Sequence, residues 1–397
     1  MRNLVSIQTI NNIKPIEGAD RIEQATVLGW HVVVGKGQFH EGEAVAYFEI
    51  DSVFPEELKA LTGVTDKYIK TRRFKGIYSQ GFCMSLSELS KEPYFSKLKT
   101  QTTLSGKEVK TLQAGILTGG ALNCFVGTDL TKVLGVTKHE ADARNADGQW
   151  WKKRNNPTMP KKWYTKFRLG RWFWKKFLYK PMFGDFPTNI VPKTDETRVQ
   201  VLQDVLTMYK GTRCQFTEKI DGSSITFYIE KKNIFSPDKL HVCSRNKEIF
   251  DKRDFMYVTA KALEDKLEPG LVYQGEILGP GIQGNKYGLQ EYKIFVYQVW
   301  SPKTKTYLSP KALTEHLTNH GIAQVPVLGE FDLVDDIDTL VDMAMDMSRL
   351  PGRKKETQRE GIVIRPLRNV DGMNDKRFVG GRLSFKAINP KFLLKYE

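Results

Sequence analysis

The sequence predicts an α+β protein with a small all-β domain first and a mixed domain of strands and helices second. Short strand-like runs separated by glycine turns fill residues 3–54, and strand signals continue to about residue 136. A strongly basic segment follows at residues 138–185, and strand-like runs then alternate with helical patterns. These three observations divide the 397 residues into domains at 1–137 and 186–397, joined by a connecting segment at 138–185.

The first domain is predicted to be a β-barrel of the OB type. Residues 25–34 form two apolar strands that meet at Gly29, and residues 44–50 form another strand after a turn at Gly42. Closely spaced short strands joined by glycine turns are typical of small closed barrels, and the OB fold is the natural candidate. A β-sandwich fits the pattern nearly as well. The polar run at residues 91–106 is predicted to be an inserted loop.

The connecting segment concentrates the positive charge and the tryptophans of the chain. Residues 138–185 contain 13 Lys and Arg against four Asp and Glu, and five of the seven tryptophans. Cations that meet phosphates and rings that stack on bases suit a nucleic-acid strand. A linker whose aromatic side chains pack on both domains fits equally well, and both interpretations can hold together.

The second domain is predicted to contain two early helices. Residues 195–206 have the apolar spacing of a short helix with Thr194 as its N-cap, and residues 255–267 form another helix that ends before Pro269 and Gly270.

Composition and charge indicate a polyanionic partner. The formal net charge is +15, which favours nucleic acid over a membrane surface. No apolar run reaches the roughly 18 residues of a membrane span, and the N-terminus lacks the apolar core of a signal peptide. The four cysteines form no CxxC pair, so neither a zinc site nor a disulfide framework is predicted. We expect a cytoplasmic monomer with no membrane partner.

The stretch at residues 218–224 is the centre of the candidate site. Lys219 lies between two strand-like runs, and Asp221 with Gly222 favours a tight turn between them. By itself this stretch is most simply a surface hairpin with a solvated lysine. Further stretches follow it in order, each weak alone: an arginine after a strand, an acidic residue at a strand end, an aromatic strand, a carboxylate at a strand start and a lysine in the last strand. Their residues are Arg245, Glu276, Phe295 with Tyr297, Glu360 and Lys386.

The order and spacing of these stretches resemble the nucleotidyltransferase motifs of the covalent ligase and capping-enzyme superfamily. In that resemblance Lys219 belongs to motif I, Glu276 to motif III, Glu360 to motif IV and Lys386 to motif V. Residues 13–23, 42–51 and 192–200 are similar to the Naegleria/Deinococcus type of RNA ligase (RNA ligase family 5). This type implies an OB domain ahead of an ATP-grasp-like nucleotidyltransferase domain of antiparallel sheets and helices. We expect no C-terminal OB domain, because the sequence ends soon after motif V.

The resemblance implies an ATP-dependent RNA ligase that seals 3′-OH and 5′-phosphate ends, including nicks, as in RNA repair. Its substrate would be RNA or an RNA-containing nicked duplex. The catalytic residues implied are Lys219, which becomes a lysyl-AMP, and Lys386, which offsets phosphate charge. Asp221, Glu276 and Glu360 are implied to act in catalysis by anchoring hydrated Mg²⁺, with Mn²⁺ as a second candidate. The nucleotide-binding residues implied are Lys193, Glu218, Gly222, Arg245, Phe295 and, as the preferred partner of adenine, Tyr297.

Two alternatives to this function stay open. A compact ATP-dependent DNA ligase would carry the same motifs, and a nucleic-acid-binding protein with a decayed active site would keep the charge. One departure from the superfamily is that motif V lacks a second lysine two residues after Lys386, where Ile388 stands. Lys391 or Lys395 could supply that second cation, or it could be absent.

The basic segment yields a test by substitution of Lys152, Lys153, Arg154, Lys161 and Lys162 with Ala. We expect self-adenylylation to survive while the affinity for nicked RNA drops. The dependence of affinity on salt should become shallower by about 0.7–0.9 units of slope for each lost phosphate contact. Affinity measured across a salt series checks this, and an unchanged slope would indicate that residues 138–185 serve structural packing.

Overall fold

The computed structural model describes residues 3–103, 108–139, 166–178, 181–231, 238–354, 356–368, 370, 375, 377–378 and 381–396. Most of the connecting segment lies outside these ranges. Many of the basic and tryptophan side chains on which the predictions rest therefore lie outside the described residues, among them Trp150, Trp151, Lys152, Lys153, Arg154, Lys161, Lys162 and Trp163.

The N-terminal part is built almost entirely of strands. They are β1 (Val5–Pro15), β2 (Ile22–Val27), β3 (Trp30–Gly35), β4 (Ala44–Phe48), β5 (Ser52–Val53), β6 (Thr71–Phe74), β7 (Ile77–Gln80), β8 (Phe82–Ser85), β9 (Phe95–Thr102), β10 (Glu108–Ala114), β11 (Leu122–Asn123) and β12 (Thr137–Lys138). Two short helices accompany them, α1 (Glu56–Thr62) and α2 (Leu86–Leu89).

Five of these strands form one antiparallel sheet in the order β3-β2-β1-β4-β8. The turn that joins β2 to β3 lies at Leu28 and Gly29, as the sequence predicts. The prediction of a loop at residues 91–106 is wrong, because β9 pairs with β10 in a separate small sheet. Apart from Phe95, the side chains of β9 are largely solvent-facing, so the strand carries no apolar alternation that sequence could reveal.

The described part of the connecting segment contains α3 (Arg168–Phe173) and one π-helical turn at Trp174–Leu178. Trp174 is buried, whereas Trp172 is half-exposed and lies 4.8 Å from the ammonium of Lys176. This part of the segment therefore presents one buried and one half-exposed tryptophan.

The C-terminal part alternates strands with helices. Its strands are β13 (Phe183–Asp185), β14 (Thr197–Arg198), β15 (Arg213–Lys219), β16 (Ser223–Glu230), β17 (Lys239–Ser244), β18 (Lys247–Ile249), β19 (Val272–Leu278), β20 (Lys293–Ser301), β21 (Thr306–Tyr307), β22 (Val327–Asp332), β23 (Gly361–Pro366) and β24 (Phe385–Ile388). Its α-helices are α4 (Gln203–Met208), α5 (Phe255–Lys261), α6 (Pro310–Asn319), α7 (Ile337–Ala344) and α8 (Pro390–Tyr396). Short 3₁₀ turns occupy Val199–Val201 and Glu264–Lys266, and a tight turn with positive φ lies within Ile282–Asn285.

These strands build two sheets, each with its own apolar core. The seven-stranded sheet has the order β13-β18-β17-β16-β19-β20-β21 and is covered by α5 and α6. The five-stranded sheet has the order β14-β24-β23-β15-β22 and is covered by α4 and α7. Among the described strands, every paired neighbour is antiparallel except β14 with β24, which agrees with the predicted α+β class. No helix within the described ranges is long and apolar enough to span a bilayer.

The predicted helix at residues 195–206 is largely wrong. Residues 197–198 form β14, a 3₁₀ turn follows, and only residues 203–208 are α-helical. Thr194 caps no helix, since its hydroxyl lies 3.0 Å from the hydroxyl of Tyr297. Pairing of β14 with β24 outweighs the weak helical preference of a short segment, as tertiary contacts commonly do. The helix predicted at residues 255–267 is present as α5 followed by a 3₁₀ turn.

The last helix joins the two parts of the molecule. Leu393 of α8 is 3% exposed and belongs to the same apolar cluster as the N-terminal strands, together with Ile388 of β24. Two further contacts cross between the N-terminal and C-terminal parts. His31 lies 2.8 Å from the carboxylate of Asp338, and the Gly29 N–H donates to the carbonyl of Gln200 at 2.8 Å. The N-terminal core is therefore completed by residues from the end of the chain.

Leu393→Ala tests this shared core. We expect the free energy of unfolding to fall by about 2–4 kcal/mol, because the substitution removes buried methyl groups and leaves a cavity. Urea denaturation of the full chain measures the change. Leu394→Ala is the matched control, since the neighbouring Leu394 is 40% exposed and its loss should cost less than about 0.5 kcal/mol. Equal effects of the two substitutions would contradict the shared core.

Candidate active site

The two strands that flank Lys219 belong to different sheets. β15 ends at Lys219 and pairs with β22 and β23, whereas β16 begins at Ser223 and pairs with β17 and β19. The interpretation of residues 218–224 as a surface hairpin is therefore wrong. Residues 220–222 carry the chain from one sheet to the other, and Lys219 lies at the junction.

Strand register brings the predicted carboxylates to this junction. Lys219 stands opposite Gly361 in β23, so Glu360 is its immediate neighbour, and both Glu360 oxygens lie 2.6 Å from the lysine Nζ. On the other side of the junction, Ser224 of β16 stands opposite Glu276 of β19. Residues that are up to 141 positions apart in the chain thus meet through backbone pairing.

Gly222 is required by the close approach of the loop to β19. A Cβ at this position would lie 2.7 Å from the carbonyl oxygen of Ile277 and 3.3 Å from Oε2 of Glu276. Because real Cβ atoms do not approach backbone this closely, any larger residue would push the loop away from Glu276.

The lysine is held in its charged form in this state of the site. Burial alone would lower the pKa of Lys219, but the nearby carboxylates, Glu360 most of all, raise it above its ordinary value. An ammonium has no lone pair and cannot attack phosphorus. The ion pair with Glu360 must therefore loosen before Lys219 can act as a nucleophile.

The other two carboxylates are protonated more readily than usual. Burial, reinforced by neighbouring negative charge, raises the pKa of Glu276 to about 8. Burial followed by the charge of Glu360 likewise raises the pKa of Asp221, although Lys286 pairs with it. Within the described part of the chain, Oε2 of Glu276 has no hydrogen-bond partner.

These three carboxylates fit a hydrated divalent cation better than a closed protein cage. The one described group of three ligands with all donor atoms within 4.8 Å is Glu268 with His316 and His320, on other elements. Asp221, Glu276 and Glu360 are therefore more widely spaced, which leaves room for the waters that Mg²⁺ retains. The unpartnered oxygen of Glu276 supplies a donor of the required type.

A group of cations gathers around Asp195. The ammonium of Lys386 lies 3.5 Å from this carboxylate, and Arg245 donates to it at 3.2 Å. Lys193 joins the group through Asn246, which it contacts at 2.9 Å. Burial is the main cause that lowers the pKa of Lys386, to about 8, and the positive charge of Lys219 acts in the same direction. Three predicted phosphate-binding residues thus lie together.

The predicted nucleotide-binding residues on β15 and β20 each have different surroundings. The carboxylate of Glu218 is buried on the opposite face of β15 from Lys219 and accepts bonds from the Ser348 hydroxyl and the Arg349 N–H. Phe295 is 3% exposed in an apolar cluster. Tyr297 is only partly buried, with its hydroxyl next to Thr194. The preference for Tyr297 over Phe295 stays a prediction.

Lys286 is a site residue that the sequence analysis missed. Its ammonium pairs with Asp221 from 65 residues away, and both side chains are more than four-fifths buried. The side chains named as sources of a second motif V cation, Lys391 and Lys395, are exposed on α8. No sequence motif indicated Lys286, because its position depends on how the loop after β19 folds back onto residues 220–222.

Comparison with known proteins agrees with this architecture. Residues 212–388 match the RNA ligase family model, and residues 4–86 match an OB-fold domain model, which decides against a β-sandwich. None of the curated proteins matches the sequence.

Solved structures of the Naegleria gruberi RNA ligase are similar over the whole chain. A mutant of that ligase with ATP and Mn is 25% identical with a TM-score of 0.69, covering 99% of this chain and 98% of that one. A mutant with AMP and Mn is 25% identical with a TM-score of 0.68, covering 99% of each chain. The same ligase with PPi is 26% identical with a TM-score of 0.68, covering 100% of this chain and 99% of that one.

The match to the RNA ligase family and the similarity to the solved ligase structures show that the protein is an enzyme of the ligase class. Residues 212–388 carry a domain that matches the RNA ligase family, and the OB-fold domain lies ahead of it. The predicted resemblance to the Naegleria type is confirmed.

Glu276→Gln tests the electrostatics of the junction. Unfolded glutamate has a pKa near 4.3, so between about pH 4.3 and 8 the folded protein keeps a proton that the unfolded chain loses. The stability that this proton provides is fully present below about pH 4.3 and is lost as pH rises to about 8. Gln stays neutral, so the variant does not lose this stability. The unfolding free energy of the variant minus that of the parent protein should therefore increase as pH rises across this range.

Urea denaturation in the presence of a chelator at pH 5–9 measures this difference. The exposed Glu291 provides the control, since Glu291→Gln should show a nearly constant difference from the parent. A constant difference for Glu276→Gln as well would contradict the raised pKa.

Proposed function

We propose that the chain seals RNA 3′-OH and 5′-phosphate ends, nicks included, in three ATP-dependent steps through a lysyl-AMP. The observation that carries this proposal is the position of Lys219 at the junction of two sheets, with Glu360 and Glu276 brought to it from separate strands. A solvated hairpin lysine would lack these partners. The intact set of charged residues argues against a decayed active site.

In the first step, Lys219 as a free amine attacks the α-phosphorus of ATP. A P–N bond forms, the bond between the α- and β-phosphates breaks, and pyrophosphate leaves. The lysine must first give up the proton that its pairing with Glu360 retains. Lys386 and Arg245 both contact Asp195. They would exchange this carboxylate for the phosphates of ATP and stabilise the negative charge there.

Asp221, Glu276 and Glu360 would hold a divalent cation, Mg²⁺ or Mn²⁺. When bound, this ion supplies positive charge that lowers the pKa of Lys219 and offsets the charge of the reacting phosphate. Tyr297 would stack on adenine, with Thr194 fixing its hydroxyl. Gly222 would let the loop approach the nucleotide's sugar and Glu276 together.

In the second step AMP moves from Lys219 to the 5′-phosphate, which restores the free amine. In the third, the 3′-OH attacks that phosphate, the new phosphodiester forms and AMP leaves. We assign the nucleotidyltransferase domain to residues 186–397, the OB-type domain to 1–137 and the connection to 138–185. We place the enzyme in the cytoplasm as a monomer, with RNA repair as its role.

Lys219→Ala tests the proposal. We expect no covalent label from α-labelled ATP, because the phosphoramidate needs the lysine amine. Sealing of RNA that already carries a 5′-AMP should persist, since the last step does not use that amine. A gel assay measures both, with exposed Lys252→Ala as the control that keeps its label.

Label on the Lys219→Ala protein would show that another residue takes the nucleotide and would overturn the motif assignment. The same assay with nicks that end in a ribose or a deoxyribose 3′-OH separates RNA from DNA ligation. Preference for the deoxyribose end would favour the compact DNA ligase instead.

A further inference from the structure

A cleft of about 480 Å³ lies next to the junction and has no role in the ATP chemistry described above. Its lining includes Lys286, Lys354 and Lys395, with Thr357 and Tyr396 between them. These residues come from three separate segments: the loop after β19, the segment before β23, and α8. The cleft is open to solvent, and its walls carry three ammonium groups against one carboxylate, that of Glu356.

Two of the lysines lie at the mouth of the cleft with their charges uncompensated. Lys354 and Lys395 are both exposed, and no ion pair to either is found among the residues that the structure describes. The stem of Lys354 lies against Gly288, where a Cβ would come within 2.4 Å of its Cε, and its N–H donates to the Tyr287 carbonyl at 2.9 Å. The side chain is therefore positioned by packing rather than by a carboxylate partner.

Lys286 links the cleft to the reaction site. Its ammonium pairs with Asp221 and lies 5.0 Å and 5.4 Å from the ring centres of Phe392 and Tyr396. A positively charged group held between a motif I carboxylate and two aromatic rings is fixed in place. A ligand in the cleft would thus touch the same lysine that touches Asp221.

The loop that forms one wall has an unusual backbone. Gln283, Gly284 and Asn285 are consecutive residues with positive φ, at 46°, 66° and 49°. The left-handed region is strained for Gln283, whereas Gly284 and Asn285 are residue types that adopt it more readily. The side chain of Asn285 stabilises the turn through bonds of 2.9 and 3.0 Å to the backbone of Leu289. Such strain is concentrated at ligand-binding sites, where the surrounding structure enforces it.

The positive charge of the cleft favours a ligand with phosphate groups. The position of the cleft favours an extended ligand over a compact one. The cations around Asp195 are already available to the phosphates of ATP. Helix α8, which supplies Lys395, also packs against β6, a strand that presents Arg73 to solvent beside Arg72, whose guanidinium pairs with Asp66. A basic surface that continues onto the OB-type domain suits a polynucleotide backbone better than a compact anion.

We propose that this cleft binds backbone phosphates of the RNA strand next to the junction, with Lys354 and Lys395 as the contacts and Lys286 as the link to Asp221. This inference rests on the proposed function. Pyrophosphate is the other source of the same chemistry, and the experiment separates the two.

The test compares the double variant Lys354→Ala/Lys395→Ala with Lys303→Ala/Lys311→Ala, which removes two exposed lysines elsewhere. Affinity of the full chain for nicked RNA is measured across a salt series. We expect the cleft variant to bind more weakly, with a slope of log affinity against log salt that is shallower by about 1.5 units, or about 0.7–0.9 per lost phosphate contact. The control variant should keep the parent slope.

Labelling of Lys219 by α-labelled ATP is measured on the same proteins. Normal labelling with an unchanged salt slope would overturn the cleft proposal and leave the proposed function standing. If RNA affinity is unchanged but more pyrophosphate is needed to remove the label from Lys219, the cleft serves the leaving group and the RNA proposal is wrong. Loss of labelling in the parent protein would instead refute the proposed function itself.

Discussion

The site depends on one constraint: the chain must cross from one sheet to the other immediately after Lys219. Pairing of β15 with β23 fixes the lysine beside Glu360, and pairing of β16 with β19 fixes the position of Glu276. Only three residues make the crossing, and Gly222 is the one that allows the backbones to approach. Because backbone hydrogen bonds set these positions, these side chains are held on strands rather than on loops.

The crossing between the sheets also brings buried charges of opposite sign together. The ion pairs at the junction include Lys219 with Glu360, Lys286 with Asp221, and Lys386 with Asp195. Charged groups that are removed from water are tolerated when each has a partner of opposite sign. The site without ATP is therefore close to balanced, and substrate phosphates and a cation must exchange with partners that are already in place. Glu276 is the least compensated of the carboxylates at the junction, since burial and neighbouring negative charge raise its pKa.

The two domains share more than a linker. Leu393 of α8 and Ile388 of β24 complete the N-terminal apolar core, so the end of the chain is packed into its beginning. The same helix carries Lys395 and Tyr396, which line the cleft next to Asp221. Changes in the OB-type domain can consequently reach the candidate site through α8.

The sequence by itself determined the class and the domain order, and it predicted most of the charged residues of the candidate site. Motif spacing identified Lys219, Glu276 and Glu360, because the chemistry of lysine and carboxylates restricts which residue types can stand there. Alternation identified most strands that have one buried face. It failed for β9, whose side chains face water on both sides, and for residues 195–206, where pairing of β14 with β24 overrode the helical pattern.

Only the tertiary structure decided which of these residues meet, and through which partners. Whether the two strands around Lys219 form a hairpin or separate into two sheets depends on pairings with strands more than a hundred residues away, which no local pattern contains. The same holds for Lys286, which reaches Asp221 through a strained loop, and for Glu218, which turns to the opposite face of β15. Local sequence fixes side-chain chemistry and periodicity, whereas long-range strand register fixes distance.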